Sequence, residues 1–146
     1  MPKLERTALL TYSAEELYRL VGDIESYPQF LPGCVSARVE HAEDTLVRAR
    51  LGFRVKALSD SFATENRLEH GSRIHMTLLE GPFRQLSGAW EFQPLAERAC
   101  KVTLRISLEF GSRVLESTLT PWIDRAVGSL IDAFRQRAAV VYGSGH

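Results

Sequence analysis

The chain carries no net charge: 18 basic residues stand against 18 acidic ones. No global field therefore draws it onto nucleic acid or an anionic membrane, and any such attraction has to be local. Lysine is nearly missing, with Lys3, Lys56 and Lys101 among a majority of arginines. Cysteine is scarce too. Cys34 and Cys100 form no CxxC pair and sit in no metal-ligand spacing, so two reduced, buried thiols are expected rather than a disulfide. His41, His70, His75 and His146 fall in no HxxH or HExxH pattern, so no metal site is expected. A nucleophile elbow, a phosphate-binding glycine loop and an evident carboxylate pair are all missing, and no catalytic residue or cofactor is assigned. No window approaches the roughly 20 apolar residues of a membrane-spanning helix. The opening MPKLERTALL also lacks the apolar core, about 7–15 residues long, of a signal peptide. These absences lead to the expectation of a cytoplasmic protein.

What remains is ordinary for a globular chain: 45% apolar and 25% charged residues in a length of 146. One domain over 1–146 is expected, large enough to bury roughly 68–70% of its unfolded surface. Residues 4–10 read as a first strand. Ser13 and Glu16 form a capping box that opens a helix, with Tyr12 and Leu17 as a hydrophobic staple. Leu17, Leu20, Val21 and Ile24 follow at helical spacing. Gly22 and Asp23 close that helix and begin a short turn through Tyr27, limited by Pro28 and Pro32.

From about residue 34 to 110 the apolar period becomes two. Val35, Ala37 and Val39 alternate with polar neighbours up to a turn at 41–44. Val47, Ala49, Leu51 and Phe53 alternate with Arg48, Arg50, Gly52 and Arg54. Further strands run through 59–68, through Ile74, Met76 and Leu78, and through Leu86, Gly88, Trp90 and Phe92, with a loop at 94–98. The clearest strand sets Val102, Leu104, Ile106, Leu108 and Phe110 against a polar row. One apolar and one polar face marks an antiparallel sheet covered on one side. Its cover is a C-terminal helix over 113–141, with an apolar stripe through Leu115, Leu119, Trp122, Ile123, Val127, Leu130, Ile131, Phe134, Ala138 and Val141. Pro121 predicts a kink or a fresh helix start. The fold class is α+β: a curved antiparallel sheet wrapped around a long terminal helix, with an internal apolar cavity if side chains leave one.

The order of these elements, with DIESYPQFLPGC (23–34), SFATENRL (61–68), LLEGPFRQLSGAWEF (78–92) and LTPWIDRAVGSLIDAFRQRA (119–138), resembles one family over Arg6 to Tyr142. It is the START-like coenzyme Q-binding proteins of the polyketide cyclase/dehydrase-like (SRPBCC) superfamily, which includes bacterial ribosome-association toxins. Gly33 departs from the tryptophan that many relatives carry there. The resemblance implies a helix-grip fold with a tunnel that binds ubiquinone or a similar isoprenoid, in support of respiration and ubiquinone synthesis, without catalysis. It also implies two alternatives: a toxin that binds the large ribosomal subunit and blocks subunit joining, and a polyketide aromatase or cyclase. No DNA partner is expected.

Three sets of candidate residues follow. Trp122, Ile123, Val127, Leu130 and Phe134 would form the helix wall of the tunnel. Phe62, Met76, Leu78, Leu86, Trp90 and Leu104 would form the sheet wall, with Gly88 leaving volume beside Trp90. Plain core packing competes with this account at each position. Phe53, Arg54, Val55 and Lys56, at a hairpin tip, would touch a bilayer interface, giving contact with the inner membrane; a solvated strand face is the alternative. Phe30 and Leu31, fixed between prolines, would gate the tunnel mouth or plug the first helices onto the sheet.

Overall fold

The computed structural model describes residues 3–55 and 58–143, apart from the side chains at 55, 58, 115, 119 and 122. Expectations placed on Leu115, Leu119, Trp122, Val55, Lys56 and His146 therefore fall outside what is described. Seven antiparallel strands form one sheet in the order β1-β7-β6-β5-β4-β3-β2. They are β1 (Lys3–Leu10), β2 (Cys34–Glu43), β3 (Leu46–Val55), β4 (Leu58–Glu69), β5 (Arg73–Glu80), β6 (Phe83–Ala96) and β7 (Ala99–Phe110). Hairpins link β2 through β7 in sequence, and β1 returns to pair with β7. The two edges, β1 and β2, never meet, so the sheet curves without closing into a barrel.

Ser13 opens α1 (Ala14–Gly22) as expected. The Glu16 amide donates to Ser13 Oγ and the Ser13 amide to Glu16 Oε1, both at 3.0 Å. Ala14, Leu17, Leu20 and Val21 are buried. A 3-10 segment, Ile24–Gln29, follows with Pro28 inside it. It docks beside the β2 edge, where Glu25 Oε2 accepts from the Val39 amide at 3.0 Å. That contact satisfies an edge donor that would otherwise be open to another chain.

Helix α2 (Arg113–Tyr142) crosses the concave face and, at 30 residues, is about 45 Å long. Its buried stripe is Ile123, Val127, Ile131, Phe134 and Ala138. Both halves are tied down by polar contacts. Arg6 on β1 meets Asp124 at 2.6 Å. Farther along, Tyr142 Oη donates to the Glu16 carbonyl at 3.0 Å.

Four local expectations are corrected. The 41–44 turn is narrower, because β2 runs to Glu43 through a bulge between Val39 and His41. A second bulge, between Cys34 and Ser36, rotates Cys34 onto the inner face beside Phe53 and leaves Val35 52% exposed. The 94–98 loop shrinks, since β6 continues through Pro94 to Ala96 opposite Cys100 and Ala99. Pro121 neither ends nor restarts α2, which is a single helix containing it. Its lost amide bond is one among many, and the buried stripe on either side holds the helix in place.

Candidate functional site

The inner rows of β3 to β7 face α1, the 3-10 segment and α2 across a gap that side chains only partly fill. Three adjoining chambers result. The first, about 310 Å³, lies under α1 between Tyr18, Arg19, Val47, Leu68, His70 and Ile74. The second, about 150 Å³, is the middle, between Ala49, Thr64, Leu86, Leu104, Ile106 and Phe134. The third, about 530 Å³, opens between the 32–34 turn, β3 and α2, at Phe53, Arg54, Arg125 and Ser129. Met76 and Trp90 line both the first and the second. Leu31, Leu51, Phe62 and Leu130 line both the second and the third. Neighbouring chambers thus share walls, and the outer two fall within the size range of small-molecule sites.

Aromatic rings brace the chambers. Phe134 meets Trp90 edge-on at 5.3 Å, Phe30 at 5.3 Å and Tyr27 at 5.5 Å. A second series runs from Phe53 to Phe62 to Phe83 to Phe110, with centroids 5.5–6.0 Å apart. Edge-to-face geometry of this kind adds stability beyond area burial and fixes ring orientation.

Polar groups inside are few. Thr64 and Asn66 share the inner row of β4 with Phe62 and Leu68, both are 7% exposed, and Thr64 Oγ1 donates to Asn66 Oδ1 at 2.8 Å. The buried Tyr27 hydroxyl donates to the Val21 carbonyl, and burial raises its pKa, with Cys34 and Asp23 adding to the effect. At the first mouth Tyr18 Oη lies 3.5 Å from His70 Nδ1, and His70 Nε2 is 3.3 Å from Asp44. Burial, with Asp44 second, raises the Tyr18 pKa. Burial also raises the Cys34 thiol, partly offset by its bond to the Ser36 carbonyl at 3.4 Å. Among the described residues, no carboxylate or imidazole lines the middle chamber. Among the described residues no group of three His, Cys, Asp or Glu is placed to hold a metal.

Of the expected tunnel residues, Leu31, Phe62, Met76, Leu86, Trp90, Leu104, Leu130 and Phe134 line these chambers. Phe30, Leu78, Ile123 and Val127 do not. Ile123 and Val127 are closed core. Phe30 is a plug: it meets Tyr27 and Phe134 edge-to-face beneath the Arg137 guanidinium, 5.1 Å above its ring. Gly88 is dictated less by spare volume than by close approach. A β-carbon there would stand 2.7 Å from the Arg105 carbonyl and 3.2 Å from Met76 Cε.

The hairpin reading changes as well. Phe53 turns inward against Phe62 rather than outward toward a bilayer, because it shares the parity of Leu51. The arginine row on the outer face is interleaved with acid. Arg48 lies 3.6 Å from Glu65, while Arg50 pairs with Glu80 and, at 3.4 Å, with Glu40. Strand neighbours from distant sequence thus neutralise it. Sequence reasoning missed Thr64, Asn66, Arg125 and the Tyr18–His70 contact. The parity of Thr64 and Asn66 with Phe62 was available in SFATENRL; the other contacts are nonlocal and left no local signal.

Comparison with known proteins agrees with this geometry. The family described as "Polyketide cyclase / dehydrase and lipid transport" matches residues 10–135. The ribosome association toxin RatA of Pseudomonas aeruginosa is 41% identical over 140 residues, spanning 96% of this chain and 97% of that protein. The mitochondrial coenzyme Q-binding protein COQ10 homolog B of Xenopus laevis is 25% identical over 92% of this chain and 57% of its own length. Among solved structures, the Zhui aromatase/cyclase from Streptomyces sp. R1128 superposes with a TM-score of 0.88 at 15% identity, covering 99% of both chains. A START superfamily protein from Mycobacterium smegmatis does so at 0.77 and 20% identity, covering 92% of this chain and 95% of its own. At such identities the two structures speak to the shared fold alone.

Proposed function

The chain belongs to the polyketide cyclase / dehydrase and lipid transport family, and we propose that it binds ubiquinone or a related isoprenoid in its tunnel and carries it unchanged, in support of respiration and ubiquinone synthesis. The observation that carries this reading is the set of three adjoining apolar chambers between sheet and α2. An isoprenoid tail gains about 0.8 kcal/mol per buried CH₂, so apolar walls suffice to hold it. Carriage is favoured over chemistry because, among the described residues, the middle chamber offers Thr64 and Asn66 but no acid or base. Tyr27, whose hydroxyl is committed to Val21 and whose pKa is raised, is a poor proton donor or acceptor. A cyclase acting on a polyketide in the same space ranks last for that reason.

The test is extraction of protein purified from its native host, followed by mass spectrometry. Quinone or another isoprenoid should co-purify, and emptied protein should bind added ubiquinone. Recovery of none, with no binding of added quinone, would end the proposal.

A second reading is favoured by the name carried by the 41% identical relative: a toxin that binds the large ribosomal subunit. The paired arginines on β3 do not supply a basic face for RNA, so a docking surface would lie elsewhere. Ribosome profiles after overproduction separate the two readings. Accumulated free subunits support the toxin, and unchanged profiles support carriage alone.

A further inference from the structure

Among the described residues lining the third chamber, charge comes from two side chains only, Arg54 on β3 and Arg125 on α2. Both line an opening otherwise made of Leu31, Leu51, Phe53, Phe62, Leu130 and small residues. Several guanidinium groups elsewhere are matched: Arg6 to Asp124, Arg50 to Glu40 and Glu80, Arg105 to Glu5 and Glu91. Neither Arg54 nor Arg125 has a carboxylate within ion-pair distance among the described residues, and no acidic residue lines this chamber. At the opposite mouth Arg19 lies in the same lining as His70, which already faces Asp44 at 3.3 Å.

Two unmatched guanidiniums at the rim of an apolar chamber are the counter-charge for an anion attached to an apolar chain. We infer that the third chamber seats the acidic head of a single-chain amphiphile, a carboxylate or phosphate monoester, between Arg54 and Arg125. The tail runs past Phe62 and Leu130 into the middle chamber, whose walls continue directly from those residues. Arginine forks suit both head groups, since each presents paired oxygens for parallel N–H bonds. This inference rests on the tunnel being a lipid site and adds which lipids it prefers: acidic isoprenoids or acyl chains over neutral ones. A neutral quinone still enters by its tail, and an acidic head gains the two guanidiniums besides.

Cys34 provides a local readout. It lines the same chamber and is half-buried, whereas Cys100 is fully buried, so alkylation of native protein reports on this mouth. The experiment titrates farnesyl phosphate against farnesol, and dodecanoate against dodecanol, following intrinsic fluorescence and the rate of Cys34 alkylation by iodoacetamide. Wild type should bind each anion about tenfold tighter than its alcohol, and each anion should slow alkylation. In Arg54→Gln/Arg125→Gln the preference should vanish while affinity for the alcohols stays unchanged. Arg54→Lys/Arg125→Lys should retain part of the preference, and inorganic phosphate alone should not displace farnesyl phosphate. Equal binding of acid and alcohol by wild type overturns the head-group assignment and leaves the tunnel standing. A preference surviving the double glutamine variant, or displacement by inorganic phosphate, places the anion elsewhere and also overturns it. Failure of all four ligands, and of ubiquinone, to bind removes the tunnel reading and this inference with it.

Discussion

Thr64 Oγ1 donates to Asn66 Oδ1 at 2.8 Å from one row of β4, with both side chains buried at the inner end of the sheet. The pair is a small polar island in an apolar interior, and its worth depends on both members being present. Thr64→Val strands an amide oxygen away from water, which should cost about 1–3 kcal/mol by urea unfolding. Thr64→Val/Asn66→Leu removes donor and acceptor together and should recover most of that loss. A double variant as unstable as the sum of the singles would mean that the two groups act independently.

Phe134 is 2% exposed and touches Tyr27, Phe30 and Trp90 edge-on. It joins α2 to the 3-10 segment and to β6 at one point. Phe134→Ala should lower stability by about 3–5 kcal/mol. Added dodecanol should restore part of the loss by filling the enlarged middle chamber, which a rise in melting temperature would reveal.

Stability should decline in alkali. Burial raises the Cys100 thiol from its ordinary 9.0 to about 11, with Glu16 contributing, and holds the Tyr27 phenol above its ordinary 10.0. Once pH exceeds those ordinary values the unfolded chain binds fewer protons than the folded one, so stability falls as pH rises. The contribution is whole below about pH 9 and is lost progressively through about pH 11. Urea midpoints at rising pH should show the decline, and Cys100→Ala should flatten its early part. A midpoint constant across this range contradicts the assignment.

Two glycines should respond in opposite directions. At Gly88 a methyl group meets the Arg105 carbonyl at 2.7 Å, so Gly88→Ala should cost about 1–3 kcal/mol. At Gly22, in the last turn of α1, nothing lies within 4 Å of the added carbon. Gly22→Ala should therefore stabilise by about 0.5–1 kcal/mol through the unfolded state. Parallel urea titrations of the two variants check both signs.

The sequence made the frame readable because its strongest signals are local. Alternation from Val102 to Phe110 marks which face of β7 is covered, and Ser13 with Glu16 marks where α1 begins. Shifts of one residue were not readable. A bulge before Ser36 exchanges Val35 for Cys34 on the inner face, and no side-chain pattern announces where an extra residue will be absorbed. Charge pairing was not readable for a related reason: the partners of Arg48 and Arg50, namely Glu65, Glu40 and Glu80, arrive from other strands. Apolar alternation marks which face turns inward. It does not separate Phe134, on a chamber wall, from Val127, in closed packing, because that distinction depends on what stands opposite.

The middle chamber, at about 150 Å³, lies between neighbours of about 310 and 530 Å³. On the carriage reading proposed above, such a partition would sort cargo by bulk before length. A slender chain would reach both outer chambers, whereas a fused ring system would stay in the one it entered. Each head would then remain on the side from which it arrived, and cargo would leave in the orientation in which it was loaded.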